Sequence, residues 1–465
     1  MKYFGLDSIL SFTDMRSLDF GINQHQLSKE ITDLLNEDNI NELAKEAGFI
    51  KRSGGKIDGF MFLDILLFTH FNFKELSLND LAVQLKKRYK VVITKQSIDE
   101  RFGDGAIVFF KSVLEKVLNI SILGELEGIF TQYGQVRIKD STSFQLPETM
   151  KDEYPGSGGS GSPACIRIQF EYDIKAGKIL DLSLHAYTSQ DATNAKDTID
   201  TISSGDLVIR DLGYIVLPLL QQIEDKGAFY LNRLHSGTNV YEKNKDGEMV
   251  LIDFAKLHKQ LKRDGIIRIE KQVYVGSKER FKTRMIIEVV PQQVYQERLR
   301  KAKASSAKRN STVSEKHKAT LGLTIFITNT DTPINEVRLL YTLRWQIELM
   351  FKIWKSIGEI DRVKKMKVER FEACLLAKLI WIALNWQIMR RIVGYFFNNK
   401  KIEISPYKLF KTLKASLIEF KQAIVSGVDN VISFIDEVME ISPINHLSEK
   451  KKNAMTWSYD VLRLF

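Results

Sequence analysis

Four side chains between Tyr341 and Lys355 have types and spacing suited to handling phosphate. The stretch reads YTLRWQIELMFKIWK, and Tyr341, Arg344, Glu348 and Lys355 lie three, four and seven residues apart. On an α-helix, at about 100° of turn per residue, they fall within roughly a 60° arc. Leu343, Ile347, Met350 and Trp354 fall nearly opposite, as a core-facing stripe. A phenol and two cations beside one carboxylate can hold phosphate oxygens next to a metal-binding acid. An amphipathic helix with an ordinary solvated face shows the same pattern, so the helix alone does not separate the two readings.

Two further acids sit where strands are expected to end. VRIKDSTSF alternates, with Val136, Ile138 and Asp140 on one face, and predicts a strand that ends on Asp140. GDLVIRDLGY, residues 205–214, predicts a short buried strand ending at Asp211, followed by the helical IVLPLLQQIEDKG. One strand-end aspartate is commonly a turn or cap residue. With Glu348, the two make a chemical case. Two divalent cations held by shared carboxylates, about 3.5–4 Å apart, activate a water or hydroxyl and stabilise the leaving oxygen in phosphodiester displacement. Mg²⁺ suits such a site, because it takes oxygen ligands, few carboxylates and substrate phosphate; Mn²⁺ is the alternative. The seven histidines are scattered, with no HExxH or paired spacing.

These acids need elements to carry them, and the 465 residues allow two to four domains with at least one sizeable core. The composition is globular, with 44% hydrophobic and 27% charged residues and only 8 Pro. A net charge of +10 and a pI near 9.2 suggest a polyanionic partner, nucleic acid first. Cys165 and Cys374 are far apart and support neither a disulfide framework nor a zinc site. MKYFGLDSILSF lacks a signal-peptide pattern. The most apolar stretch, 371–389, carries Glu372, Lys378, Asn385 and Gln387 and reads as a buried helix rather than a membrane span. The expectation is a soluble cytoplasmic protein with no membrane partner.

Residues 1–130 read as mostly helical. Within LSLNDLAVQLKKRYKVVITKQSIDERF, Leu78, Leu81, Ala82 and Leu85 mark one helix, and Thr94 can cap a second carrying Ile98 and Phe102. This is a helix-turn-helix candidate with Lys95, Gln96, Asp99 and Arg101 exposed; a plain helical hairpin is the other reading. Residues 154–164, YPGSGGSGSPA, form a loop that is not a phosphate-cradling P-loop, since no Gly-Lys-Ser/Thr ending follows. CIRIQFEYDI and KILDLSLHAY predict a hairpin across KAGK, and a helix is expected near 192–202. From 227 to about 320, short strands alternate with polar turns. Residues 278–318 hold twelve Lys or Arg against four acids, and Arg298, Arg300 and Lys301 head the cluster. Such density suits phosphate contacts on an exposed helix or arm, or a solvated linker. LTIFITNT returns to a buried strand, long helices run to about Gly394, and the tail from Lys400 is helical and amphipathic.

The signature Y-x2-R-x3-E-x6-K, matched by Tyr341, Arg344, Glu348 and Lys355, resembles that of the insertion-sequence-four family of DDE transposases, relatives of the Tn-five and Tn-ten transposases. KDSTSFQLP resembles the family's first-aspartate block, PGSGGSGSPACIRIQFEYD the loop and strand after it, RDLGY the second-aspartate block, and TKQSIDERF a helical block before the catalytic domain. The resemblance runs from about residue 75 to about 385. It implies an α/β fold: an RNase H-like core, a mixed sheet flanked by helices, interrupted by a β-rich insertion, with helical N- and C-terminal regions. The regions would be 1–130 for DNA-end binding, 131–226 and 321–395 for the two parts of the core, 227–320 for the basic insertion, and 396–465 for dimerisation. It further implies cut-and-paste transposition, with Asp140, Asp211 and Glu348 as ligands of two Mg²⁺ ions. Tyr341, Arg344 and Lys355 would bind phosphates near the cleaved end. The implied partners are double-stranded DNA, as terminal inverted repeats and as target, and a second copy of the chain in the DNA complex.

One departure bears on the hairpin step of some relatives. They place a base-stacking Trp just before the strand leading into the signature helix; here Thr324 stands at or near that position, and no Trp lies between Asp211 and Tyr341. Two other readings remain at this point: a non-catalytic descendant that binds DNA, and another RNase H-like nuclease. The intact acids and signature speak against the first, and the tyrosine-to-lysine signature with the basic insertion against the second.

Overall fold

The computed structural model describes residues 24–51, 55–69, 77–120, 132–158, 162–189, 191–235, 237–277 and 280–448. Six helices come first: α1 (Gln24–Leu34), α2 (Glu37–Glu46), α3 (Gly59–Leu67), α4 (Leu78–Tyr89), α5 (Lys95–Asp99) and α6 (Asp104–Leu118). Then follow β1 (Val136–Leu146), β2 (Ala164–Asp173), β3 (Lys178–Ala186), α7 (Asp191–Asp197), β4 (Leu207–Arg210), α8 (Leu217–Asp225) and β5 (Phe229–Arg233). The next stretch holds β6 (Val240–Lys243), β7 (Met249–Leu251), α9 (Phe254–Arg263), β8 (Arg268–Val275), β9 (Phe281–Val289), α10 (Gln292–Ala307), α11 (Glu315–Thr320) and β10 (Leu323–Thr328). Helices α12 (Val337–Thr342), α13 (Trp345–Ser356), α14 (Val368–Tyr395), α15 (Pro406–Ala415), α16 (Leu417–Ser426) and α17 (Val428–Asn445) complete it. This is a mixed α/β protein with a large mixed sheet and many helices.

Contacts divide the chain into two compact units. The first holds Gln132–Asp140 and Gln190–Arg344; the second holds helices α1–α6, Ser141–Ser189 and the chain from Trp345 onward.

In the first unit the strand order is β1-β4-β5-β10-β9-β8-β6-β7. β1, β4 and β5 are parallel, and from β10 onward the neighbours are antiparallel. The β4 sequence LVIR is buried at all four positions, as a short central parallel strand must be. Val208, Tyr230, Ile325 and Ile327 on the strands pack in one cluster with Leu219, Leu220 and Ile223 of α8. Burying such side chains contributes about 1.5–3 kcal/mol each. The other face carries Ile138 and Ile209, paired across β1 and β4 and both fully buried.

The short strands expected after residue 227 are present as β5 to β9, but α9 interrupts them. Asp253 accepts hydrogen bonds from the backbone N–H groups of Ala255 and Lys256, and Phe254, His258 and Leu261 turn inward. That cap and spacing are a helix signal that reading 227–320 as short strands and polar turns leaves out. α10 buries no residue, so the basic segment is a surface helix.

In the second unit β2 and β3 form the predicted hairpin, with Gly177 at φ +68° in its turn. α14 is long and apolar enough to cross a membrane by length and composition, yet 94% of its apolar window is buried inside the fold. Trp381 and Trp386 of α14 stand 6.1 and 5.9 Å from the ring of Phe410 on α15. Trp354 of α13 meets Phe170 of β2 edge-on at 5.0 Å. The stripe Leu343, Ile347, Met350 and Trp354 is buried as expected, at 0–1% exposure.

The helix-turn-helix reading needs correction at its second helix. Thr94 does cap α5, through Ser97 N–H, and Ile98 and Phe102 are buried. But α5 ends at Asp99, five residues long, too short to lie along a groove as a recognition helix. Asp99 is engaged as well: the Lys367 ammonium donates to its carbonyl at 2.5 Å, and Arg370 pairs with its carboxylate at 3.5 Å. The region is a helical hairpin tied to α14.

Candidate active site

Asp140 and Asp211 meet because their strands run parallel and in register. β1 and β4 pair Val136 with Leu207, Ile138 with Ile209 and Lys139 with Arg210. Asp140 and Asp211 are the next residues on each strand, so their backbones lie about 4.8 Å apart. Strand alternation sends both carboxylates to the face of Ile138 and Ile209. On the opposite face the cations between them are consumed locally: Arg137 donates to the Thr201 carbonyl at 2.5 Å and Lys139 to Thr198 Oγ1 at 3.0 Å. β4 stops at Arg210, and Asp211, in extended backbone, opens a short turn through Tyr214. β1 does not end on its acid as expected. Asp140 is the fifth of eleven strand residues, and what ends there is the pairing with β4.

The signature stretch is also built differently from a single helix. α12 closes with i−3 hydrogen bonds, Leu343 N–H to Leu340 carbonyl at 3.3 Å and Arg344 N–H to Tyr341 carbonyl at 3.2 Å, and α13 starts afresh at Trp345. The tightened turn breaks the predicted continuous polar line. Tyr341 packs on Phe326 of β10, with ring centroids 5.1 Å apart, and its hydroxyl donates to Asp211 Oδ1 at 3.0 Å. Burial first, and the Asp211 charge second, push the phenol well above its ordinary value, so it stays a donor. Arg344, 6% exposed, places Nη1 2.9 Å from Asp140 Oδ2 and 3.9 Å from Asp211 Oδ2. One guanidinium thus stands over both carboxylates.

Glu348 and Lys355 belong to the second unit. Glu348 is exposed in the first turn of α13. Lys355, in the last turn, donates to the carbonyl of Ser143 on β1 at 2.9 Å, so its ammonium is engaged on backbone. Among the described residues no three His, Cys, Asp or Glu side chains form a group that could hold a metal ion. The donor set of the aspartate pair nevertheless fits a hard divalent cation. It is all carboxylate oxygen, the side chains remain 22% and 36% exposed, and a full positive charge already stands over them.

The remaining candidates divide. Lys95 and Gln96 are exposed on α5. Arg101 lies 5.9 Å from the Phe49 ring and lines a cavity of about 1140 Å³ among the N-terminal helices, with Lys45, Lys51 and Lys56. These three lysines carry no spacing signal in the sequence, and the cavity includes none of the three acids. Arg300 is exposed, and Lys301 pairs with Glu297 at 2.8 Å on the surface of α10. Arg298 is a correction. Its guanidinium turns inward, to the carbonyls of Leu321 and Leu323 at 3.2 and 2.9 Å and to Thr324 Oγ1 at 3.0 Å. Burial, with Arg233 and Arg338 nearby, pushes it down to about 10. It anchors α10 to β10 and has no arm to offer DNA. The cysteines are not a site: burial pushes Cys374 up to about 12 and raises Cys165.

Residues 133–386 match the family model described as Transposase DDE domain, a span that holds both aspartates and the whole signature. The chain belongs to the DDE transposase family. Among curated relatives, the transposase for insertion sequence element IS231F of Bacillus thuringiensis subsp. israelensis is 32% identical, over 83% of this chain and 84% of the relative. That for IS231B of Bacillus thuringiensis subsp. berliner is 30% identical, over 91% and 93%. That for IS1151 of Clostridium perfringens is 29% identical, over 94% and 96%. The likeness therefore extends through both units. As a DDE transposase the protein is an enzyme of DNA strand cleavage and strand transfer, it acts on DNA, and it depends on a divalent metal.

Proposed function

We propose that this transposase moves an insertion sequence by cut-and-paste, and that Asp140, Asp211 and Glu348 hold its metal. The observation that carries the reading is the aspartate pair at matching register on β1 and β4, under Tyr341 and Arg344. The sheet of β1, β4, β5 and their flanking helices is the RNase H-like core, and the insertion between Asp211 and Glu348 supplies the basic surface. The regions before residue 131 and after 395 bind DNA ends and a second protomer.

Two Mg²⁺ ions, for which Mn²⁺ can substitute, supply an activated water or hydroxyl and neutralise the leaving oxygen when bound. The chain's own residues do the rest. Asp140 and Asp211 set the position of the charge through two neighbouring strands, which are stiffer than loops. The Tyr341 hydroxyl fixes the rotamer of Asp211 through its 3.0 Å hydrogen bond. Arg344 presents a planar, permanently charged fork suited to a phosphate at the cleaved end. Glu348 completes the carboxylate set from the first turn of α13. Lys355 positions α13 against β1 through Ser143, and its phosphate role requires leaving that carbonyl. The exposed Lys95, Gln96, Arg300 and Lys301, with Arg101 in its cavity, are DNA-backbone contacts. The substrates are the element's terminal inverted repeats and target duplex, bound by a dimer in the bacterial cytoplasm or nucleoid.

The test is Mg²⁺-dependent nicking of duplex carrying the element's ends. The wild-type chain is expected to cut, and Asp140→Ala and Glu348→Ala are expected not to. A variant of either acid that cuts like wild type removes that residue from the site.

A further inference from the structure

We propose that Arg344 is a built-in counter-cation for the aspartate pair: it keeps divalent metal out until a DNA phosphate draws the guanidinium away. This rests on the reading of Asp140 and Asp211 as metal ligands, and goes beyond it by making metal loading conditional on DNA. The geometry is direct. Arg344 Nη1 stands 2.9 Å from Asp140 Oδ2 and 3.9 Å from Asp211 Oδ2, on a side chain 8% exposed. Two carboxylates one strand spacing apart repel each other, and here one buried positive charge answers both. A divalent cation taking the same oxygens at about 2.0–2.1 Å would face that charge at close range. The guanidinium does not escape by losing its proton, since arginine stays charged in proteins. It moves, or the metal stays out.

What would move it is on the same residue. A phosphate accepts two parallel guanidinium bonds, a stronger pairing than one carboxylate oxygen shared with a neighbour. Arg344 also sits at the joint where α12 ends in i−3 bonds and before α13 begins, so its side chain can swing without unwinding either helix. Tyr341 stays behind on Asp211, so one ligand remains oriented while the other is released. By linkage, DNA then raises metal affinity and metal raises DNA affinity by the same factor. A strand-cutting centre so built carries no loaded metal away from DNA.

The test measures Mn²⁺ binding to the full chain by the loss of the free-ion electron paramagnetic resonance signal, with no turnover involved. Without DNA, Arg344→Gln is expected to bind Mn²⁺ about tenfold or more tighter than wild type; with end-bearing duplex, Asp140→Asn and Asp211→Asn are expected to lack the site that wild type fills. Adding duplex with the element's ends is expected to tighten wild type by a similar factor, and to tighten Arg344→Gln far less. Arg344→Lys, which keeps the charge, covers the case in which the Gln variant fails to fold. It is expected to remain as weak as wild type without DNA and, lacking the fork that grips phosphate, to gain less from DNA than wild type does. Arg344→Gln no tighter than wild type, Arg344→Lys tighter than wild type without DNA, or wild type showing no gain with DNA overturns the counter-cation role while the ligand reading stands. Asp140→Asn and Asp211→Asn binding Mn²⁺ like wild type in the presence of end-bearing duplex overturns the ligand reading itself.

Discussion

Arg344 and Arg298 lie in the same unit, carry the same charge, and were both marked by sequence as phosphate contacts, yet they face opposite environments. Arg344 meets two carboxylates where the pairing of β1 with β4 ends. Arg298 meets two backbone carbonyls and a hydroxyl at the head of β10. The first can exchange its partners for a phosphate, because charge is traded for charge. The second cannot, because its withdrawal strands carbonyls that nothing else satisfies. A cationic residue type therefore announces an interaction with oxygen, and only the partner decides whether that interaction is chemistry or construction.

The sharpest way to break this contrast is at the acids. Asp140→Asn and Asp211→Asn are each expected to slow Mg²⁺-dependent end nicking by more than the 10–100-fold typical of losing an outer-shell partner. Nicking kinetics on end-bearing duplex read this, and near-normal rates would leave Arg344 no more functional than Arg298. Arg298→Ala is expected to lower stability by about 1–3 kcal/mol, the cost of leaving buried acceptors unpaired, seen as an earlier denaturant midpoint. Unchanged stability would deny Arg298 its anchoring role. Arg300→Ala with Lys301→Ala, one turn along the same helix, is expected to move stability by less than about 0.5 kcal/mol. It should instead flatten the dependence of log DNA affinity on log salt by up to about 0.9 for each lost phosphate contact. A salt slope equal to wild type would take α10 off the DNA path.

Smaller effects sharpen the same distinction. Tyr341→Phe removes one hydrogen bond to Asp211 and is expected to weaken stability by about 1 kcal/mol, read by thermal melting. Lys378 of α14 is a buried cation on a carbonyl, that of Glu359 at 2.8 Å. Burial pushes it down to about 7, with Lys414 adding to the fall and Cys374, Glu359 and Asp361 opposing it. Between pH 7 and about 10.4 the unfolded chain holds a proton that the folded chain has released, so this lysine makes stability rise with pH. Lys378→Met is expected to lose that rise, visible as a melting-temperature difference from wild type that changes between pH 7 and 9. A constant difference would mean the buried ammonium stays charged.

Much of the scaffold was legible because periodicity is a property of the chain itself. The alternation around Ile138 and Asp140, the buried LVIR before Asp211, the β2–β3 hairpin and the Leu343–Trp354 stripe all appear where the pattern puts them. The candidate site was legible to the level of which acids share a sheet face. Directions of long side chains were not. Lys355 turns to Ser143, Arg298 to Leu323, and Lys367 to Asp99, each chosen by a carbonyl that tertiary packing leaves within reach. The break after Tyr341 was hidden for a related reason. A run of good helix formers does not reveal where packing on Phe326 at one end and Phe170 at the other stops one helix and starts the next.

The in-register pairing of β1 with β4 has a consequence for how this protein can change over time. Residues may be gained or lost in the Gly/Ser loop before β2, or in the turns of the insertion, and the two aspartates keep their places. A single residue added within 136–139 or 207–210 reverses that strand's alternation and turns its aspartate to the side of Arg137 and Lys139. Eight positions thus form a frame in which length, more than identity, is under constraint, and natural variants of the sequence should differ there by substitution alone.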